Sequence, residues 1–299
     1  MMTQGISEYF SKNYEVKTMI EVKNLTKSFR KKKVLDNISF ALKEGTYGLL
    51  GANGAGKTTL LRCLTMIYPE GGKTVLKNGK PIEKEKEYLS KVGYLPQQFG
   101  LFKELSVTDA IKLLANFKFS DRRISENEID RCLKLVNLEE EKNKRVSALS
   151  GGMLRRVGIA QAILGEPDII IFDEPTAGLD PTERLRFKSV ISEIKNGKNV
   201  IISTHIVEDI EAVCNQVIIM DSGKINGVFT CRELRAIAKE KVYEIAENES
   251  DDIGIRFYTE KIFEREGKAY KRILCSDPLP LSTCEPTLED GYLCIINKI

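Results

Sequence analysis

A glycine-rich segment at residues 51–59 constrains the fold of this chain more than any other feature. The short apolar run that precedes this segment, at residues 46–50, predicts a buried strand. The residues that follow the segment, at positions 60–64, are good helix formers. A strand, a glycine-rich turn and a helix in this order form the context of a P-loop. A plain glycine-rich turn is the alternative, and the strand–helix context disfavours it. The segment therefore predicts binding of a nucleoside triphosphate.

The residues of this loop have distinct expected roles. Its glycines let the backbone fold back with N–H groups pointing inward, and the new helix adds the positive end of its dipole. Lys57 supplies a mobile positive charge for the β and γ phosphates, and the Thr58 hydroxyl is placed to hold Mg²⁺. The residues expected to bind the nucleotide are Gly51, Ala52, Asn53, Gly54, Ala55, Gly56, Lys57, Thr58 and Thr59.

Composition and charge narrow the class of protein. A chain of 299 residues with 42% hydrophobic residues can bury the core of one large domain plus a small one. No apolar run approaches the roughly 18 residues of a membrane span, and residues 1–18 lack the apolar stretch of a signal peptide. Basic and acidic residues nearly balance, with a net charge of +3, so the composition does not indicate binding of nucleic acid. The basic run at residues 30–33 is interpreted as a solvated loop rather than a patch that binds lipid or nucleic acid. The seven scattered cysteines lack a CxxC pair, as in a reduced cytosolic protein.

Strand and helix signals alternate along the chain. A β pattern begins near Met19, a candidate start residue, and Asn78-Gly79 indicates a hairpin. From about residue 101 helix signals dominate, with Ser106 and Ser125 as expected N-caps. The apolar run at residues 169–172 then predicts a central parallel strand that is covered on both faces. This alternation indicates an α/β sheet with a helical insertion.

The region from about residue 232 shows no chemical motif. Short strands are expected at residues 242–245, 253–258 and 269–274, separated by charged turns. A proline-containing linker at residues 277–286 precedes a short helical signal at the end of the chain.

Two carboxylates end the apolar strand at residues 169–172. Asp173, at the strand tip beside the P-loop strand, is where a second contact to Mg²⁺ is expected, directly or through water. Glu174 can face the water that attacks the γ phosphate, so it is the expected general base. The alternative is a strand that ends in two solvated acids, which the upstream P-loop disfavours.

His205 is the only histidine, and it follows a predicted strand at residues 200–203. A lone histidine is usually a surface residue or a satisfied core residue. This one lies at the end of the sheet where P-loop ligands bind, which favours a role in sensing the γ phosphate or orienting the base.

Ser150, Gly151 and Gly152 precede a predicted helix and form a second possible anion site. Two phosphate sites in one chain suggest that two chains share each nucleotide. The segment alone is a weak signal.

Together these motifs resemble those of the ATP-binding subunit of ABC transporters, over about residues 19–230. Residues 51–58 resemble the Walker A loop, and residues 169–173 resemble the Walker B strand, followed by the catalytic base. Gln97 matches the Q-loop glutamine, which in the family contacts Mg²⁺ and senses the transmembrane partner. Residues 149–153 resemble the signature motif, which acts on the ATP of the opposite subunit.

Further positions follow from the same resemblance. Residues 177–180 are similar to the D-loop, and His205 is similar to the switch histidine. Phe29 falls where the family stacks an aromatic ring on adenine, although from the sequence it could equally be a core residue. Met153 stands where the signature motif usually has glutamine, so contacts near the ribose are expected to differ. The expected Mg²⁺ contacts are Thr58, Gln97 and Asp173, and the expected catalytic residues are Glu174, His205 and Gln97.

The resemblance implies an α/β P-loop NTPase fold of the ABC type. It implies a mainly parallel sheet core, an antiparallel β subdomain, a helical subdomain and a small C-terminal α+β extension. The expected divisions are an N-terminal extension at residues 1–18, an ATPase domain at residues 19–231 and an accessory region at residues 232–299, with the helical subdomain at about residues 98–150.

The implied function is that of a cytoplasmic ATPase, peripheral on the inner face of the membrane, that uses ATP and Mg²⁺. It would pair with a second copy of itself or a homologous subunit, and it would power a separate membrane-spanning permease of the multidrug or antibiotic export type. One alternative is a soluble ABC-type ATPase that acts on ribosomes or nucleic acid, and another is a module that binds ATP without hydrolysing it. The single ATPase unit without a long coiled coil disfavours the first, and the retained Glu174 and His205 disfavour the second.

Overall fold

A computed structural model describes residues 20–82, 85–119, 124–247 and 255–299, so the predicted N-terminal extension lies outside the described residues. Strands and helices alternate through most of these residues. The strands are β1 (Ile20–Phe29), β2 (Lys32–Leu42), β3 (Gly45–Leu50), β4 (Val75–Lys77), β5 (Lys80–Pro81), β6 (Val92–Leu95), β7 (Ile169–Asp173), β8 (Asn199–Thr204), β9 (Gln216–Asp221), β10 (Lys224–Thr230), β11 (Val242–Ala246), β12 (Tyr258–Arg265) and β13 (Lys268–Leu274). The helices are α1 (Lys57–Leu64), α2 (Gly71–Thr74), α3 (Glu85–Ser90), α4 (Val107–Lys118), α5 (Glu126–Leu135), α6 (Gly151–Ile163), α7 (Pro181–Ile194), α8 (Val207–Glu211), α9 (Cys231–Ile237) and α10 (Leu288–Asn297), with a 3₁₀ turn at Val146–Ala148.

A six-stranded sheet in the order β10-β9-β3-β8-β7-β6 forms the centre of the chain. Its strands run parallel except for β10, which is an antiparallel edge strand. Every residue of β7 is buried, with Ile170 and Phe172 in the core on one face of the sheet and Ile169 and Ile171 in the core on the other. Burial on both faces explains why this strand is uniformly apolar. The prediction of a covered central parallel strand is confirmed.

A second, antiparallel sheet in the order β2-β1-β4-β5 packs beside the central one. Leu25 and Leu35 from this sheet share a core with Leu49 of β3 and Leu60 of α1. Between β4 and β5, Asn78 and Gly79 have φ angles of 52° and 76°, as the tight turn of a two-residue hairpin requires. The predicted hairpin and the antiparallel β region are therefore both present.

The region between β6 and β7 is helical in its described part, as predicted. The Ser106 hydroxyl accepts a hydrogen bond from the Asp109 N–H at 3.1 Å, and the Ser125 hydroxyl accepts one from the Glu128 N–H at 3.2 Å. These bonds satisfy N–H groups that have no partner inside the first turn of α4 and α5. Both predicted N-caps are confirmed.

The C-terminal strands form a separate sheet in the order β11-β13-β12. Of the predicted strand at residues 253–258, residues 253 and 254 lie outside the described part of the chain. Residues 255–257 are not in a strand, and β12 begins at Tyr258. Glu266 and Gly267, with φ angles of 53° and 73°, make a tight turn that pairs the charged β12 with β13. A charged edge strand carries too little apolar alternation to be recognised from sequence.

Helix α10 returns the chain to the core beside the central sheet. Leu288 of α10 is fully buried in the same core cluster as Leu234 of α9 and Ile210 of α8. At Gly291 the helices are so close that an added Cβ would lie 1.9 Å from the Leu234 carbonyl oxygen. The predicted boundary near residue 232 remains a prediction, but the accessory region shares its packing with the rest of the chain.

A buried charge cluster joins α10 to the C-terminal sheet. The guanidinium of Arg272 on β13 lies 2.8 Å from Glu260 on β12, 2.7 Å from Asp290 on α10 and 3.5 Å from Glu244 on β11. The side chains of Arg272, Glu260 and Asp290 are at most 7% exposed. Burial and the neighbouring carboxylate of Asp290 raise the pKa of Glu260 to about 7. Burial opposes ionisation of Asp290 too, but hydrogen bonds from Arg272 and Thr287 outweigh it and hold that pKa below its ordinary value.

Candidate functional site

Four neighbouring parallel strands end at the same edge of the central sheet. The loop at residues 51–56 follows β3, His205 follows β8, Glu174 follows β7, and Gln97 lies two residues beyond β6. Ligands of open α/β sheets bind outside the carboxyl ends of the strands, because the loops that follow the strands converge there. The topology therefore brings the predicted phosphate loop, base, switch histidine and glutamine to one edge.

The phosphate loop adopts a conformation that depends on glycine. Gly56, directly before α1, has a φ of 109°, and an added Cβ would lie 2.7 Å from the Met220 side chain. Gly54 also has a positive φ, of 84°. These conformations allow the chain to turn sharply into α1, so that the positive end of the helix dipole directly follows the loop.

Lys57 lies beneath the loop and reaches the predicted base. Its ammonium donates to the carbonyl oxygens of Gly51 at 2.7 Å and Ala52 at 3.3 Å. Glu174 Oε1 lies 3.4 Å from the same nitrogen, and Glu174 Oε2 lies 3.1 Å from His205 Nδ1. Glu174 is thus in contact with both of the other predicted site residues, Lys57 and His205.

Asp173 is completely buried at the tip of β7. Its Oδ1 accepts a hydrogen bond from the Ser203 hydroxyl at 2.6 Å, whereas its Oδ2 is buried without a hydrogen-bond partner. A buried carboxylate oxygen without a partner is costly, and coordination of a cation removes that cost. This oxygen, together with the Thr58 hydroxyl and the Gln97 amide, supplies the oxygen ligands that Mg²⁺ prefers. The residues fit a magnesium ion.

The backbone of Glu174 is strained, with a φ of 50°. A non-glycine residue in the left-handed region typically costs about 1–3 kcal/mol, and such strain is concentrated at functional sites. Its N–H donates both to the Ser203 hydroxyl at 3.0 Å and to the Ser203 carbonyl at 3.1 Å. Neighbouring β8 therefore holds the strained residue in place.

Arg155 on α6 is a site residue that was not predicted. Its guanidinium donates to the carbonyl oxygens of Pro96, Gln97, Asp173, Glu174 and Pro175. Burial lowers the pKa of this guanidinium, and the nearby Asp173 and Glu174 charges partly offset that effect. The side chain ties the segment after β6 to the segment after β7. In the sequence, the only indication that Arg155 could be near the site is its position in the helix that follows the Ser150 motif.

A cleft of about 740 Å³ opens above the phosphate loop. It contains Gln97 and Glu174 as well as most of the loop. Its lining residues are Lys32, Lys33, Val34, Ala52, Asn53, Gly54, Gly56, Lys57, Thr58, Thr59, Gln97, Glu174, Ser222 and Gly223. Lys32 and Lys33, which were predicted to lie in a solvated loop, are instead the first two residues of β2 and line this cleft, where positive charge favours phosphates.

Several predicted site residues lie outside this lining. Gly51 and Ala55 belong to the loop but are buried. The ring of Phe29 is 40% exposed and packs edge-on against the ring of Tyr68, with the ring centroids 5.4 Å apart. Stacking of Phe29 on adenine therefore remains a prediction.

The residues of the Ser150 motif do not line the phosphate-loop cleft, although Gln97 lines both that cleft and the groove beside the motif. The Ser150 hydroxyl caps α6 by accepting from the Met153 N–H at 3.2 Å, and Gly151 lines a separate groove of about 480 Å³. That groove also contains Gln97, Phe99 and Arg155. Within the described residues, the two predicted anion sites do not share a cleft.

Comparison with known proteins identifies this arrangement. Residues 35–177 match the family described as ABC transporter. An uncharacterized ABC transporter ATP-binding protein of Bacillus subtilis (strain 168) is 34% identical over 233 residues, which cover 77% of each chain. The chain belongs to the ABC transporter ATP-binding family. This ABC subunit is also 33% identical to the Nod factor export ATP-binding protein I of Cupriavidus metallidurans over 77% of this chain and 74% of that protein.

The fold of the ABC subunit agrees with solved structures of the family. A dimeric bacterial ABC transporter cassette superposes with a TM-score of 0.62 at 25% identity, covering 71% of this chain and 98% of the other. The subunit is therefore an ABC-type P-loop ATPase, which binds and hydrolyses ATP as part of a transporter. These relatives and this solved structure give no support to the alternative of a ribosome-acting or nucleic-acid-acting ATPase.

Replacing Lys57 with alanine is expected to weaken ATP binding about 10- to 100-fold. The change removes charge-assisted hydrogen bonds to phosphate, each of which contributes about 1.5–3 kcal/mol. Equilibrium binding of a fluorescent ATP analogue measures the effect. The matched control is Lys112→Ala, because Lys112 pairs with Glu126 on the helical region at 2.6 Å. Equal affinities for the two variants would contradict the assignment of the phosphate loop.

Proposed function

We propose that two copies of this ABC subunit, or one copy and a homologous subunit, enclose two ATP molecules between them. The observation that carries the proposal is the separation of the Ser150 motif from the phosphate-loop cleft of the same chain. The Ser150 motif lies at the start of a long helix and presents a second helix N-terminus to an anion. A facing subunit can supply this motif to ATP bound at the phosphate loop.

Mg²⁺ would be held by the Thr58 hydroxyl, Asp173 and Gln97. When bound, the ion neutralises charge on the β and γ phosphates. Lys57 binds the phosphate oxygens, and Glu174 accepts the proton of the attacking water. His205, 3.1 Å from Glu174, keeps that carboxylate turned toward the phosphates. Arg155 fixes the backbone of both Gln97 and Glu174, so that the two side chains keep their relative positions.

The groove beside Gln97 is the proposed contact with a separate membrane-spanning permease. Phe99, Leu154 and the stem of Arg155 give it apolar surface, and the exposed Phe102 follows nearby in the chain. Since Arg155 bonds to the segments of both Gln97 and Glu174, a permease that moves the first segment also acts on the second. ATP-driven closure and reopening of the dimer would in this way drive transport.

The subunit itself would lie on the inner face of the cell membrane. Among the described residues, no helix combines the length and the hydropathy of a membrane span. The Nod factor export relative supports export as the direction of transport. The multidrug or antibiotic export type is proposed from the motif resemblance.

The test is capture of the permease by the Glu174→Gln variant. The tagged full-length variant is incubated with ATP and Mg²⁺ in detergent-solubilised native membranes, and the co-purifying proteins are identified by mass spectrometry. We expect enrichment of one multi-span membrane protein over the Lys57→Ala variant, which serves as the control that fails to close around ATP. Enrichment of ribosomes or nucleic acid without a membrane protein would overturn the proposal.

A further inference from the structure

The loop between β7 and α7 carries the proposed base at one end and the D-loop residues at the other. It contains two consecutive turns, in which the Ala177 N–H donates to the Glu174 carbonyl at 3.3 Å and the Leu179 N–H donates to the Thr176 carbonyl at 3.1 Å. Asp180 then caps α7 by accepting from the Glu183 N–H at 2.9 Å. The loop is short and bonded throughout, so a displacement at one end reaches the other.

A buried carboxylate on α8 holds the start of this loop. The hydroxyl of Thr176, a residue only 1% exposed, donates to Asp209 Oδ2 at 2.5 Å. Asp209 itself is 4% exposed. A charge-assisted hydrogen bond is stronger when it is excluded from water, and removal of either partner leaves a buried polar group unsatisfied.

The same carboxylate also reaches the end of the loop, through Arg184 on α7. The Arg184 guanidinium lies 3.8 Å from Asp209 Oδ1, and its Nε donates to the Leu179 carbonyl at 3.4 Å. Asp209 therefore contacts the start of the loop directly and its end through a single side chain.

Helix α8 begins two residues after His205, so Asp209 links the histidine segment to the base segment. The side chains of His205 and Glu174 form one contact between those segments, but the histidine side chain is 45% exposed. The bond from Thr176 to Asp209 is buried, as is the bond from the Glu174 N–H to the Ser203 hydroxyl. Since the Glu174 backbone is strained, contacts of this kind are needed to hold it.

We propose that Asp209 is a positioning residue for ATP hydrolysis. It fixes the loop at residues 174–180 so that Glu174, His205 and the D-loop keep one relative geometry. It touches neither the phosphate loop nor the nucleotide cleft, so it acts through Thr176 and Arg184. The proposal rests on the proposed role of Glu174 as the general base.

The test compares steady-state ATP hydrolysis by Asp209→Ala and Thr176→Val. Both remove the buried hydrogen bond, and the valine keeps the size of threonine, so that a folded variant is available. We expect kcat to fall about 10- to 100-fold, because displacements near 1 Å cost catalysis about that much, while KM for ATP stays within about twofold. Thr176→Ser restores the hydroxyl and is expected to restore kcat.

The double variant shows whether the two residues act through one bond. If they do, Asp209→Ala combined with Thr176→Val is no slower than the slower single variant. The control on the same helix is Glu211→Ala, which removes an ion pair between Glu211 and Arg235, whose side chains are 42% and 43% exposed, and is expected to leave kcat unchanged.

Wild-type kcat in a folded Thr176→Val variant would overturn the proposal. So would losses that multiply in the double variant, or a KM that rises as far as kcat falls. Failure of the proposed function has a different signature, because it appears as retained turnover in Glu174→Gln, whatever the Asp209 variants do.

Discussion

Replacing Glu174 with glutamine is expected to lower ATP turnover about 100- to 10,000-fold without weakening ATP binding. The amide has nearly the shape of the carboxylate but cannot accept the proton of the attacking water, and a positioned general base contributes about that factor. Affinity is expected to be retained or to increase. Glu174 Oε1 lies 3.4 Å from the Lys57 ammonium, so the neutral side chain leaves more of that positive charge for phosphate.

Two measurements separate the effects of this substitution. Phosphate release at saturating ATP reports turnover, and equilibrium binding of ATP reports affinity. The control is Glu208→Gln, because Glu208 is an exposed acid three residues after His205 and has no proposed role in hydrolysis. Turnover within a few-fold of the wild type would rule out Glu174 as the base, whereas lost affinity would show that its carboxylate helps to build the cleft.

Light scattering of the same variant adds a test of subunit pairing. If ATP is shared between two subunits, blocked hydrolysis should trap the pair, so the mass should double on addition of ATP and Mg²⁺. The Lys57→Ala variant, which lacks the phosphate contact, should remain at the mass of a single subunit under the same conditions.

The parts of the site that the sequence predicts are those encoded by local rules. The loop before α1 needs glycine at φ values above 80°, and a uniformly apolar strand that ends in two acids marks Asp173 and Glu174. The Ser106 and Ser125 caps and the Asn78-Gly79 turn depend on neighbours within a few residues. Such signals are readable without knowledge of the fold.

The parts that the sequence does not predict depend on contacts between distant segments. Arg155 binds a carbonyl 58 residues away, and the hydroxyl of Thr176 meets Asp209 at a separation of 33 residues. Arginine and aspartate are common on helix surfaces, so nothing local distinguishes these two. Only the strand order, which places the segments after β6, β7 and β8 side by side, gives them a role.

The C-terminal sheet illustrates the same limit for stability. A guanidinium among three carboxylates cannot be recognised from residues that lie at positions 244, 260, 272 and 290. Once the sheet and α10 have formed, those groups are buried together. The region is then stable only if the positive charge of the guanidinium offsets the cost of burying the carboxylates.

Replacing Arg272 with methionine is therefore expected to lower the free energy of opening of the C-terminal sheet by about 3–5 kcal/mol. Methionine keeps most of the side-chain volume, so the loss arises from the buried Glu260 and Asp290, which no longer face a positive charge. Hydrogen exchange of the β13 amide groups in the full chain measures this free energy. The matched control is Arg265→Met on the same hairpin. Arg265 also pairs with Glu244, at 2.7 Å, but its side chain is 56% exposed, so a change of about 0–1 kcal/mol is expected.

The pH dependence distinguishes lost charge compensation from lost packing. The folded chain binds the proton of Glu260 more tightly than the unfolded chain, since burial and Asp290 raise its pKa to about 7. The stability that comes from this tighter proton binding by Glu260 is thus fully present below the ordinary pKa of glutamate, and it is lost as the pH rises through about 7. Without Arg272, protonation becomes more favourable for both acids, so the deficit of the Arg272→Met variant should shrink as the pH falls from 8 to 5. A deficit that stays constant over that range would mean that the stem of Arg272 contributes by packing, and that its charge is not what holds α10 to the sheet.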